Sequence, residues 1–201
     1  IEIEGQATVN ALRDIPQITP FATLLDGTLK YQARLQLKQG APNIRVYSDL
    51  GDLALNLPAP LTKARGQALP TQFIWHSDAN GKAEFNLQAG SILRAQYFFS
   101  PNSTGLQQIT QGSIGIYSPD TATTSSPPFS LPSEGVSASL HLDTLDIDQW
   151  HHFLNSFSHD TSTSHSTPAI NDYLPQQIDV KVNTLKVLNR TWEKVNAVIT
   201  H

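Results

Sequence analysis

The sequence contains no cysteine and no methionine, and each absence limits what the chain can be. Without cysteine, disulfides and thiolate metal sites are excluded, and an oxidising compartment is permitted but not indicated. Without methionine, the chain has no residue at which translation would start. We therefore expect it to be an internal segment of a longer polypeptide. It opens in a strand-like pattern, IEIEGQATVN, and closes in another, KVNAVITH, as such a segment would.

Charge and long apolar runs are also scarce. Charged residues make up 15% of the chain, against ~25% in ordinary soluble domains. The formal net charge is −4, with only 13 lysines and arginines. The sequence has no stripe of basic residues that could follow nucleic-acid phosphates, so nucleic acid is excluded as a partner.

The longest apolar runs, such as Tyr97–Phe99, are far shorter than the ~18 residues of a spanning helix. Any signal peptide or membrane anchor is expected outside this segment.

Period-two alternation of apolar and polar residues dominates what is present. The segment Thr28–Lys38 reads TLKYQARLQLK, which predicts a long strand with one apolar and one polar face. Asp78–Gly81 predicts a tight hairpin turn, because asparagine and glycine tolerate a positive φ. Together these patterns predict a mainly β fold, one module over residues 1–201, built as an antiparallel meander. Further strands are predicted near residues 44–48, 53–57, 71–76, 83–87, 93–99, 106–117, 136–142, 178–188 and 192–200.

One segment breaks the alternation and predicts a helix. Asp146 can cap a helix start, with Gln149 as its partner in a capping box. Apolar residues then follow at helical spacing, so we expect a single short amphipathic helix at about 147–157, packed on the sheet through Trp150 and Phe153. Residues 158–168, SHDTSTSHSTP, are of low complexity and predict a flexible loop.

The sequence offers little evidence of catalysis or metal binding. Histidines occur at 151, 152, 159 and 165. Neighbours on a helix point about 100° apart, and the other two histidines lie in the low-complexity loop, so surface histidines are the simpler interpretation. There is no nucleophile elbow, no P-loop and no dinucleotide fingerprint. We therefore predict a protein that is not an enzyme and has no cofactor, with a serine hydrolase as a minor alternative.

The apolar strand faces are the main signal, and the pattern alone permits two interpretations. Alternation normally means that one face is buried in a sandwich core. The same pattern would also suit a face that contacts an apolar ligand. From the alternation alone, an ordinary core is the simpler of the two.

Three stretches of the chain, in order, resemble the YhdP family of AsmA-like and TamB-like envelope proteins of Gram-negative bacteria. The first is Ser48–Pro70, SDLGDLALNLPAPLTKARGQALP, an alternating strand that leads into a Pro-x-Pro break, a lysine and a Leu-Pro. The second is Leu142–Trp150, LDTLDIDQW, a turn into a short helix. The third is the closing pair of strands, around Ile178–Val180 and Val195–Ala197.

This resemblance implies a fold and a function beyond what the alternation predicts. It implies a curved, groove-like sheet of β-hairpins with an apolar lining, which shields phospholipid as it moves between inner and outer membrane. It also implies a location in the periplasm, an inner-membrane anchor outside this segment, other envelope proteins as partners, and no catalytic residues. The candidate groove-lining residues are Leu29, Tyr31, Leu35, Leu37, Leu53, Leu55, Leu57, Phe85, Leu87, Leu140 and Leu142.

The rival hypothesis is a closed β-sandwich that acts as a binding or adhesion module for a carbohydrate or protein. In that case the alternating faces would meet in a dry core, and exposed aromatic residues such as Trp75 and Tyr97 would form the contact site.

Overall fold

The structure is a computed structural model, and it describes residues 1–12, 24–38, 40–119, 129–157 and 173–200. Eleven strands and two helices occur in these ranges. The helices are α1 (Val9–Leu12) and α2 (Ile147–Phe157). The strands are β1 (Glu2–Thr8), β2 (Leu25–Lys38), β3 (Ala41–Ser48), β4 (Leu53–Leu55), β5 (Thr71–Ser77), β6 (Ala83–Ala89), β7 (Leu93–Pro101), β8 (Gln107–Tyr117), β9 (Gly135–Asp146), β10 (Gln177–Val187) and β11 (Arg190–Thr200).

All these strands join one open sheet in the order β1-β2-β3-β5-β6-β7-β8-β9-β10-β11, with β4 paired to the start of β2. The predicted mainly β fold, with a short amphipathic helix at 147–157, is confirmed, and hairpins form most of the sheet. Helix α1 was not predicted. The meander is interrupted at two junctions, because β8 pairs with β9 and β9 with β10 in parallel. A parallel pair needs a crossover connection rather than a hairpin, and α2 lies in the second of these crossovers.

The local signals act as their chemistry requires. At the predicted hairpin, the carboxylate of Asp78 accepts hydrogen bonds from the backbone N–H groups of Asn80 and Lys82, both at 2.9 Å. Gly81 has a φ of 77°. At the start of α2, Asp146 Oδ1 accepts a hydrogen bond of 3.0 Å from the Gln149 backbone N–H. The helix has the predicted bounds. The predicted loop at 158–168 lies outside the described residues.

Two clusters of buried apolar side chains form the centre of the described structure. The first surrounds Tyr97 and Phe99 on β7, and the second surrounds Leu142 on β9 and Val182 on β10. Trp150 of α2 packs against the second cluster. Val136 of the first cluster is linked to Tyr97 by register through Gly112, and Leu142 follows Val136 at even spacing on β9. Tyr97 and Leu142 therefore point to the same side of the sheet.

Candidate functional site

One row of registered residues crosses the sheet, and it is apolar at every strand. Each residue in it is the direct partner of the next, from β1 at one edge to β11 at the other. The side chains of such a row all point to the same face, which we call the apolar face. The row consists of Ile3, Ala33, Val46, Phe73, Leu87, Ala95, Ile114, Ala138, Ile178 and Ile199.

The neighbouring row points to the opposite face and is almost entirely polar. It consists of Glu4, Gln32, Tyr47, Gln72, Gln88, Arg94, Gly115, Ser139, Asp179 and Val198. Its side chains bond to each other along the surface. Gln32 Nε2 donates to Glu4 Oε1 at 3.0 Å, and Gln72 Nε2 donates to the Tyr47 hydroxyl at 2.8 Å. We call this second face the hydrated face, although Ser113 and Tyr117 of β8, which point to it, are buried.

The candidate residues on β2, β6 and β9 all belong to the apolar face. Leu29, Tyr31, Leu35 and Leu37 alternate along β2, and the last of them is 72% exposed. The rest of this set, Phe85, Leu87, Leu140 and Leu142, lies on the same face. Most of these side chains are half-buried, whereas Leu142 is only 2% exposed.

The candidates from the 53–57 segment are placed differently. Leu53 and Leu55 belong to β4, which ends at Leu55, so Leu57 lies beyond the strand. This strand pairs with residues 25–27 of β2 and lies off the main path of the sheet. Leu53 is 3% exposed. The structure thus brings these leucines together with the start of β2 and does not include them in the apolar row.

Aromatic rings occupy the middle of the apolar face. Phe73, Phe85 and Tyr97 follow one another across β5, β6 and β7, with ring centroids 5.3 and 6.0 Å apart. Tyr97 is covered in turn by Tyr173, whose ring is 5.5 Å away and whose carbonyl accepts the Tyr97 hydroxyl at 3.0 Å. Burial, with Tyr173 as the smaller cause, raises the pKa of Tyr97 above its ordinary value. Tyr97 is 5% exposed and so is not the exposed contact residue of the sandwich hypothesis.

Residues 49–70 form a compact loop at one end of the strands, organised around a buried lysine. Lys63 is only 5% exposed, and its Nζ donates to the carbonyls of Leu50 at 2.6 Å and Leu53 at 2.5 Å. Burial lowers the pKa of Lys63. Backbone bonds from Gly66 to Gly51 and from Leu69 to Asp49 close the loop at its base. The sequence places a lysine after the Pro-x-Pro break, but the buried role of Lys63 could not be predicted, since lysine is seldom buried.

Two of the sequence motifs, far apart in the chain, contact each other at the tip of this loop. Trp150 Nε1 donates a hydrogen bond of 3.0 Å to the carbonyl of Ala59, which lies 91 residues away. The Pro58–Pro60 break is therefore where the loop reaches α2. Trp150 also packs on the second cluster, so it links the loop tip to the buried part of the apolar face.

A family model described as YhdP protein matches residues 1–201. The chain belongs to the YhdP family. YhdP proteins form a family of the Gram-negative cell envelope with a function related to lipid transport. No curated protein and no solved structure matches the chain.

The YhdP family is not known as an enzyme family. In the described part of the chain, no three histidine, cysteine or acidic side chains are grouped as metal ligands would be. The predicted surface histidines at 151 and 152 lie exposed on α2, whereas 159 and 165 fall outside the described residues. Across the described ranges, no helix has the length and apolar character needed to cross a membrane.

Proposed function

We propose that this chain is a segment of a protein that bridges the periplasm and shields phospholipid acyl chains between the inner and outer membranes. The observation that carries this proposal is the apolar row, which runs without interruption from β1 to β11 on an open sheet. Of the ten residues in this row, only Ala95 and Ala138 are buried, so the others keep surface that an apolar ligand could contact.

The energetics of lipid movement suit such a surface. Each acyl methylene gains ~0.8 kcal/mol when it leaves water. Exposing the two chains of one phospholipid would thus cost on the order of 20 kcal/mol. A continuous apolar face removes most of that barrier without a specific pocket. The head group must stay hydrated, because an unpaired polar group is costly to bury, and an open sheet leaves it in contact with water.

The absence of a second sheet among the described strands supports an apolar ligand over a closed sandwich. In a closed sandwich, a second sheet would cover these side chains, but the described strands form a single sheet. The members of the apolar row on the two edge strands, Ile3 and Ile199, are 47% and 53% exposed, whereas Ala95 and Ala138 in the middle of the row are buried. The membrane anchor would lie outside this segment, and we propose other envelope proteins as partners.

Native mass spectrometry of the protein extracted from cell envelopes tests the proposal. We expect masses that exceed the protein mass by one or more phospholipids, and we expect these species to disappear after delipidation and return when phospholipid is added. A protein that stays lipid-free in both samples, while its unfolding remains cooperative, would exclude lipid binding by this segment. The sandwich hypothesis predicts that second result.

A further inference from the structure

The apolar face is not equally open along its width. At its C-terminal side, Leu142 and Val182 are 2% and 1% exposed, and Trp150 of α2 is among the side chains that pack against their cluster. On β2, by contrast, Leu35 is half-buried and Leu37 is 72% exposed. The face therefore changes from an open surface to a closed core between β2 and the β9–β10 pair.

Helix α2 is held over the closed part by polar contacts at defined points. Asp148 Oδ1 accepts a hydrogen bond of 3.1 Å from the backbone N–H of Leu188, in the turn between β10 and β11. Trp150 Nε1 donates a second hydrogen bond, to the carbonyl of Ala59. The first contact ties α2 to the strands that it covers. The second ties it to the loop anchored on β2 and β4.

The loop does not depend on α2 for its own shape. Lys63 and the backbone bonds at its base hold residues 49–70 together, and an ion pair of 2.8 Å between Arg65 and Asp26 adds a surface tether. The Ala59 carbonyl, which accepts the Trp150 N–H, belongs to this loop. Trp150 suits this position because it supplies a large apolar body for the cluster and one N–H donor for the loop.

We propose that Trp150 is a positioning residue that sets where the lipid-accessible part of the apolar face ends. This inference rests on the proposed function. It assigns acyl chains to the open side, which carries Leu35, and excludes them from the side closed by α2, which carries Leu142. Without the Trp150 contacts, α2 would separate from the sheet, and acyl chains would reach Leu142 and Val182.

The absence of cysteine from the chain allows a direct test with single introduced thiols. Leu35→Cys and Leu142→Cys are each reacted with a small water-soluble maleimide and with a phospholipid that carries a maleimide at the end of one acyl chain. We expect the lipid reagent to label Leu35→Cys at least tenfold faster than Leu142→Cys. Adding Trp150→Ala should raise labelling of Leu142→Cys at least tenfold and leave Leu35→Cys unchanged.

Matched substitutions separate a positioning role from simple loss of stability. Trp150→Phe keeps an aromatic ring but removes the N–H donor, so it should give an intermediate increase in labelling of Leu142→Cys. The same variant keeps the test available if Trp150→Ala does not fold. His152→Ala, an exposed change on the same helix, should have no effect. Equal lipid labelling of Leu35→Cys and Leu142→Cys with Trp150 present, or no change on removing Trp150, would overturn the inference.

Failure of the proposed function itself gives a different result. In that case Leu35→Cys would react with the water-soluble maleimide but not with the lipid reagent. If only the boundary is misplaced, both thiols would react with the lipid reagent at similar rates.

Discussion

A single charge placed on either face of β2 separates a lipid-facing role from a merely structural one. Leu35 and Gln36 are neighbours in the same strand, and their side chains point to opposite faces. Leu35→Asp introduces a carboxylate on the apolar face. Gln36→Asp introduces the same carboxylate on the hydrated face, where Gln36 is exposed. The two variants have the same net charge and nearly the same composition.

The expected magnitude follows from the burial of Leu35. Fully burying a leucine contributes about 1.5–3 kcal/mol, so losing a half-buried one should lower the free energy of unfolding by about 1 kcal/mol. In the lipid-bound state, the carboxylate keeps its water and displaces two or three acyl methylenes, a loss of about 2 kcal/mol at ~0.8 kcal/mol each. Affinity for phospholipid should therefore fall about thirtyfold.

The assay is a titration of each variant with a fluorescent phospholipid, alongside urea unfolding of the same samples. Gln36→Asp should change the affinity less than about twofold, since rim and surface charges have small effects. If Leu35→Asp is too unstable to purify, Leu37→Asp serves instead, because Leu37 is 72% exposed and adds little to folding. Equal affinities for the apolar-face and hydrated-face variants would refute the assignment of lipid to the apolar face.

Three further changes test the packing around the face. Lys63→Met should lower the free energy of unfolding by about 2–4 kcal/mol in urea titrations, because buried carbonyls lose their donor; an unchanged midpoint would contradict this role. Burial holds the pKa of Tyr97 above that of an unfolded tyrosine, so only the unfolded state ionises as pH rises above about 10, and stability falls by about 1.4 kcal/mol per pH unit. Tyr97→Phe should therefore lose less stability than the wild-type protein between pH 9 and 11. Identical slopes of the unfolding free energy against pH would exclude this contribution of Tyr97. A Cβ on Gly112 would lie 2.5 Å from the Tyr97 ring, so Gly112→Ala should cost about 1–3 kcal/mol and lower the Tm, whereas an unchanged Tm would mean that the ring moves freely.

The strands and α2 could be predicted because their signals are local. Alternation over Thr28–Lys38 fixes a strand with two unlike faces, and Asp146 with Gln149 fixes the start of a helix. The sharing of one face by β2, β6 and β9 follows from registers that the alternation does not contain. Leu53, Leu55 and Leu57 show the limit, since they alternate like the lining residues. Leu53 and Leu55 nevertheless belong to a short strand off the main path, and Leu57 lies beyond its end.

The parallel junctions and the Trp150–Ala59 contact could not be predicted. The crossovers that precede β9 and β10 carry no turn signal that distinguishes them from long hairpin loops. The contact joins residues 91 positions apart. The local sequence already accounts for each residue, because Ala59 lies in a proline break and Trp150 lies on the apolar face of a helix, so neither indicates a distant partner. Only the fold brings them together.

Quenching of Trp75 fluorescence by phospholipid with brominated acyl chains tests the central claim most directly. Trp75 lies on the apolar face, between Ile44 and Phe85, and bromine quenches only indoles that it contacts. We expect wild-type protein to be quenched more strongly than Trp75→Phe, and the difference should vanish with non-brominated lipid. Moving the indole to the hydrated face, with Tyr47→Trp in the Trp75→Phe background, should restore the fluorescence but not the quenching. Equal quenching of indoles on both faces, or none at Trp75, would contradict the assignment of the apolar face to acyl chains.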